Sequence, residues 1–132
     1  MSIPIALKAG RCALARMYID LSLAFHASTF KPGQPPEEFD GNLTLVAVAV
    51  MLGHAEGHAM NASELSVCLK MPRTSVLRRL DILIERGLIE RIDDQYYLHK
   101  NRAGSVPHLD AFELILSKAF TALTPLLSKS DR

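Results

Sequence analysis

The chain has 132 residues, a length that closes one hydrophobic core and buries roughly two thirds of the unfolded surface, so a single domain spanning 1–132 is expected. Hydrophobic residues make up 48% and charged residues 22%, which excludes a disordered tail and suits a helical globular protein. A formal net charge of +1 does not speak against nucleic acid, because a DNA-binding surface needs only a local excess of positive charge.

Two cysteines, Cys12 and Cys68, stand far apart with no CxxC spacing, which points away from a zinc site or a disulfide framework and toward two buried thiols in a reducing cytoplasm. The opening "MSIPIALKAGRCALARMYIDLSLAF" is apolar, but Lys8, Arg11, Arg16 and Asp20 fall inside the apolar run and not ahead of it. That fits neither a signal peptide nor a membrane span, so no membrane partner is expected and the default location is cytoplasmic.

In chain order, helical spacing runs from Pro4 to about Ala27, with proline suited to a first turn. Its apolar residues cover more of the circumference than one core-facing stripe needs, so the helix within residues 1–28 is expected to meet a partner surface as well as its own core. "FKPGQPPEEFDG" cannot continue a helix, and Thr29 to Gly41 is expected to be a loop. "NLTLVAVAVMLGHA" reads as a second helix with Asn42 as N-cap, followed by a polar "HAEGHAM" loop.

Asn61 and Glu64 form an N-x-x-E capping box, which opens a short helix from Ala62 to about Leu69. Pro72 ends helical geometry at Met71 and begins a new helix, which makes a helix-turn-helix. Gly87 suits a left-handed C-terminal cap, and Ile89–Ile92 and Tyr96–Leu98 alternate as strands around Asp93-Asp94-Gln95. From Pro107 to about Ser128, Leu109, Phe112, Leu116, Ala119, Phe120, Leu123 and Leu127 recur at helical spacing, giving a long amphipathic C-terminal helix (106–128) that Pro125 should bend or fray. The expected fold is therefore mostly α with a small β-hairpin, a helix-turn-helix core at 42–100 flanked by long N- and C-terminal helices; with the hairpin as a wing, this is the winged helix-turn-helix of the resemblance that follows.

At about 100° per residue, Val76, Leu80, Leu83 and Ile84 share the core side of the 72–86 helix, with Thr74, Arg78, Asp81 and Glu85 opposite and Ser75 and Arg79 on the flank. Arg73 belongs to the open first turn. The charges are also sorted along the axis: Arg73, Thr74, Ser75, Arg78 and Arg79 fill the N-terminal half, while Asp81 and Glu85 follow. A recognition helix leads into the major groove with its N-terminal residues, and the arginine fork matches guanine O6 and N7. Thr74 and Ser75, near free helical N–H groups, suit a phosphate oxygen. The plainer alternative is an Arg78–Asp81 pair on a solvated face.

"SELSVCLKMPRTSVLRRLDILIERGLI" resembles the winged helix of MarR-type transcription regulators: a short helix opening S-E-L, a turn, a helix with T/S-x-V-x-R, then L-x-x-x-G-L-[IV] into the wing. IclR-like regulators share much of this pattern. The resemblance covers Asn61 to Lys100 by motif and the flanking helices by architecture alone. It implies a transcriptional regulator, read here as a repressor, that binds double-stranded DNA at a pseudo-palindromic operator as a homodimer through its terminal helices. It places Arg73, Thr74, Ser75, Arg78 and Arg79 on the DNA-touching positions. Arg91 and Lys100, with His99 and Arg102, flank the hairpin, where they either reach the DNA backbone or form a solvated hairpin base. The chain departs from the family at the wing tip, where Asp93 and Asp94 stand in place of the usual arginine.

"GHAEGH" sets His54 and His58 four apart around Glu56, but it is neither H-E-x-x-H nor H-x-x-E-H, and a polar loop is the expectation. His26, His99 and His108 suggest no triad, so neither enzyme activity nor a metal or cofactor is expected. The resemblance also implies small aromatic or phenolic effectors, for which Tyr18, Phe25, Met51 and Phe112 are candidate lining. Core or dimer packing is the simpler use of those four, and no effector is assigned. The competing function is a winged helix reused as a protein–protein adaptor or assembly subunit.

Overall fold

A computed structural model describes residues 3–30, 40–105 and 109–130. The element order is α1 (Lys8–Ala27), α2 (Gly41–Ala55), α3 (Ala62–Leu69), α4 (Arg73–Glu85), β1 (Ile89–Ile92), β2 (Gln95–Leu98), α5 (Lys100–Ala103) and α6 (Leu109–Ser130). The protein is mostly helical with one two-stranded antiparallel hairpin, an order compatible with a winged-helix layout. Its contacts divide the chain into two compact units, Met1–Ala24 with His108–Arg132, and Phe25–Pro107.

The second unit is built around Leu43, Val46, Ala49 and Val50 of α2, Leu65 of α3, Val76, Leu80 and Leu83 of α4, and Leu88, Ile89 and Tyr96 around the hairpin. The three- and four-residue spacing within each helix gives it one buried side. Helix α2 starts at an Asp40 cap, whose carboxylate accepts the Asn42 and Leu43 N–H groups, and not at the expected Asn42 cap. Either residue type can cap, and the chain uses the one that leaves Leu43 and Val46 pointing inward.

The capping box forms as read: Asn61 accepts the Glu64 N–H at 2.8 Å, and Glu64 accepts the Asn61 N–H at 3.1 Å. Helix α3 ends on Lys70 in the left-handed region (φ 55°), with the Met71 N–H donating to the Ser66 carbonyl. A lysine there carries a Cβ penalty that glycine would avoid. Helix α4 closes in the same manner on Gly87 (φ 74°), with Gly87 N–H on Ile84 and Leu88 N–H on Leu83.

The hairpin turn is tighter than expected. Gln95 is a strand residue paired with Ile92, which leaves Asp93 and Asp94 alone at the turn, both left-handed at φ 50° and 63°. Two positive-φ residues define the two-residue turn whose twist matches paired strands, and aspartate tolerates the region better than most side chains. The outer edge of β2 is satisfied elsewhere: Tyr96 N–H donates to Met60 O, and Leu98 N–H donates to His54 Nδ1, both at 3.0 Å.

The chain segment after α1 is held by two arginines from the far end of the second unit. Arg86 Nη1 donates to the Thr29 carbonyl at 3.1 Å and its guanidinium lies over the Phe30 ring at 5.5 Å. Arg102 Nη2 donates to the carbonyls of Ser28 at 2.8 Å and Phe30 at 3.4 Å. These acceptors lie just past the C-terminus of α1, where partial negative charge accumulates and cations are favoured. Burial pushes the Arg102 pKa below its ordinary value. Arg102 is thus a structural residue, and not the hairpin-flanking backbone contact expected from its position.

In the first unit, Gly10 lies against Leu126, where a Cβ would come within 3.0 Å of the leucine methyl. This places Gly10 in the first turn of α1 beside Leu126 of α6. Helix α1 begins at Lys8 and not near Pro4, because Leu7 is left-handed (φ 57°) and breaks the helical path. Helix α6 passes through Pro125 and continues to Ser130. Thr121, whose carbonyl loses its donor to the proline, is on the exposed side, which makes that loss tolerable. Pro107 and the Leu127 side chain lie outside the described residues.

Both cysteines are exposed, contrary to the buried thiols expected of them. Ile84 is also exposed (37%) where a core position was expected, since the buried stripe of α4 is completed by Leu83. Leu80, at the centre of that stripe, is fully buried. Leu80→Ala should lower the free energy of unfolding by roughly 2 to 5 kcal/mol, measured by urea denaturation, as core truncations do.

Candidate nucleic-acid interface

With Val76, Leu80 and Leu83 buried, the opposite side of α4 is fixed as the open one: Arg73, Thr74, Arg78, Asp81 and Glu85 are exposed. The sorting along the axis holds, with two exposed guanidiniums in the first half of the helix and two exposed carboxylates in the second. Helix α4 has no side-chain cap, because Pro72 occupies the cap position, so no side chain occupies the N–H groups of its first turn.

The five expected residues on α4 do not behave alike. Arg73, Thr74 and Arg78 are exposed, while Ser75 is half-buried. Arg79 is turned inward: its side chain is only 11% exposed, its Nη1 donates to the Ser75 carbonyl at 3.2 Å, and its Nε lies 3.9 Å from the Asp40 carboxylate. That separation is beyond hydrogen-bond reach, so the buried Nε is left with ion-pair attraction alone. The same Asp40 oxygen caps α2, and Arg79 thereby joins α4 to the start of α2. The expectation that Arg79 touches DNA is corrected: a flank position on the helical wheel becomes an inner one once α2 packs beside it.

On the hairpin, the register places Arg91 opposite Tyr96, and directly paired residues share a face of the sheet. Arg91 is exposed and its guanidinium pairs with the Asp94 carboxylate across the turn. That hydrogen bond first, and the Asp94 charge second, push the Arg91 pKa above its ordinary value. A groove of about 330 Å³ opens beside this pair, lined by Arg73, Arg91, Asp94, Tyr96, and Asn61 and Ser63 at the start of α3. The structure thus brings Arg73 and Arg91 to one groove, a juxtaposition across 18 residues of chain that helical spacing alone does not reveal.

Lys100 is exposed at the start of α5, a short helix that the sequence reading did not anticipate. His99 caps it through Nδ1, which accepts the Asn101 N–H at 3.2 Å, while its Nε2 lies 3.9 Å from Glu90. The cap residue is a histidine, which is not among the side chains that signal a helix start.

His54 is not a loop residue: it sits in the last turn of α2, where its Nδ1 accepts from Leu98 and its ring meets Tyr97 edge-on at 5.3 Å. His58 is at the surface, 3.8 Å from Glu64. Among the described residues no three metal-ligating side chains gather, and no helix is long and apolar enough to cross a membrane. Of the candidate effector-lining residues, Tyr18 and Met51 are exposed, and Phe25 and Phe112 are half-buried. Comparison of the chain with protein-family models, curated proteins and solved structures found no match.

The two neighbouring arginines should separate cleanly in a stability assay. Arg78→Ala should leave the urea midpoint unchanged within about 0.5 kcal/mol, as exposed substitutions do, while Arg79→Ala should lower stability by about 1 to 2 kcal/mol through lost stem packing.

Proposed function

We propose that the chain is a sequence-specific DNA-binding transcriptional regulator of the MarR type, a cytoplasmic repressor that grips its operator as a homodimer. In this reading α3 and α4 are the helix-turn-helix, α4 is the recognition helix and the β1–β2 hairpin is the wing. The observation that carries it is the exposure of Arg73 and Arg78 on the leading half of a helix whose other side is anchored by Val76, Leu80 and Leu83. Arg78 supplies base readout in the major groove, where a bidentate arginine is worth on the order of 1 to 3 kcal/mol against a wrong base. Arg73, Thr74 and Lys100 suit phosphates, which set position and not sequence.

The dimer is supported by the first unit. Leu14 (58% exposed), Tyr18 (70%), Leu116 (45%) and Phe120 (66%) remain open, and Ala119 is the one buried residue among those described in α1 and α6. Leu14 and Tyr18, like Leu116 and Phe120, are four residues apart and form a stripe on each helix. Two helices with so little buried between them acquire a core when a second copy covers those stripes. A two-fold dimer then presents two recognition helices to half-sites about one helical turn apart, roughly 34 to 36 Å, and a seated dimer excludes polymerase by bulk.

A second reading, a winged helix used as a protein–protein adaptor, is favoured by the acidic turn at Asp93 and Asp94 and by exposed Leu45 and Leu52 on α2. The two diverge under salt. A regulator loses duplex affinity steeply and linearly in log[salt] as phosphate contacts release counterions, whereas an adaptor shows neither the slope nor a preferred sequence.

In vitro selection from random duplexes should return an inverted repeat, and an unenriched pool would end the regulator reading. On the selected site, Arg78→Ala should weaken binding by about 1 to 3 kcal/mol and relax preference at one position per half-site. Phe120→Glu, at a side chain already open to solvent, should convert a sedimenting dimer to monomer.

A further inference from the structure

The groove between α3, α4 and the hairpin holds two guanidiniums, Arg73 and Arg91, yet one of its positive charges is already cancelled from within. Arg91 faces the Tyr96 side of the hairpin because the two residues are register partners. Asp94 occupies the second left-handed position of the turn (φ 63°), three residues on, and its carboxylate takes the Arg91 fork. Both side chains are open to water, Arg91 at 57% and Asp94 at 77%, so the pair is screened and exchanges readily. A carboxylate oxygen and a phosphate oxygen satisfy an arginine through the same charge-assisted geometry. Asp94 therefore offers Arg91 the same kind of partner as a phosphate oxygen.

We propose that Asp94 is an internal competitor for the duplex phosphate that Arg91 would otherwise bind, so that each hairpin is held partly self-neutralised and the protein grips DNA less tightly than its arginines allow. This rests on the DNA reading above and adds to it a specificity function. Weakening the sequence-independent phosphate contact leaves a larger share of the affinity to base readout by α4, and discrimination between operator and bulk DNA rises.

The test measures binding of a mixed-sequence duplex across a salt series for the full chain, its Asp94→Asn and Asp94→Gly variants, Arg91→Gln, and the Arg91→Gln/Asp94→Asn double variant. Asparagine and glycine both accept the left-handed turn, so the hairpin survives each change, and an unchanged thermal melt verifies it. Asp94→Asn and Asp94→Gly should each tighten non-specific binding about 3- to 10-fold and steepen the log–log salt slope by about one counterion per hairpin. The gain should largely vanish when Arg91 is already Gln. Equal affinity of parent and both Asp94 variants would overturn the proposal. An equal gain with and without Arg91 would also overturn it, since simple repulsion between Asp94 and phosphate would then account for the effect. A parent with no salt-dependent duplex binding would instead sink the DNA reading, and the competitor role with it.

Discussion

The constraint on which the second unit depends is the burial of Val76, Leu80 and Leu83 along one side of α4. A helix turns by about 100° per residue, so fixing three side chains inward fixes the direction of all the others. Arg78 is outward because Leu80 is inward. A rotation of α4 by one residue would put Asp81 or Arg79 in the place of Leu80 and expose that leucine, a cost that is a large fraction of the roughly 5 to 15 kcal/mol separating folded from unfolded domains. The outward direction of Arg78, on which the proposed duplex contact rests, is thus a by-product of core packing.

Much of the second unit was legible in the chain because its boundaries are set by local chemistry. The capping box at Asn61 and Glu64, the proline at 72 and the glycine at 87 each act over three or four residues, and each lies where it was read. Local signals are less decisive where two neighbours can do the same work, as with Asp40 and Asn42 at the start of α2. They fail at Lys70, whose left-handed backbone is imposed by the α3–α4 connection and not by its side chain. Short α5 has no sequence mark beyond a histidine cap.

The candidate surface was less legible than the fold, for a physical reason. A helical wheel assigns direction from one helix alone, whereas exposure depends on what packs beside it. Arg79 and Arg78 are adjacent and chemically identical, yet Arg79 meets Asp40 and the N-terminal end of α2 while Arg78 is exposed. Arg102 similarly reads as a basic hairpin flank until the carbonyls of Ser28 and Phe30 come to meet it. The Arg91–Asp94 pair has the opposite character: both partners lie within four residues, and only the two-residue turn, tighter than the three-residue one expected, brings them together.

The arginine grip on the carbonyls that follow α1 has a consequence for how the chain matures. Arg86 lies 57 residues beyond Thr29, and Arg102 lies 74 and 72 residues beyond Ser28 and Phe30. Helix α1 can coil as soon as it leaves the ribosome, but the first of these arginine clamps on its downstream end forms only once translation has reached Arg86 after α4, and the second only with Arg102 in α5. Contacts of such sequence separation close late and slowly. Nascent chains that stop short of Arg86 therefore carry an apolar helix whose trailing carbonyls lack both guanidinium clamps.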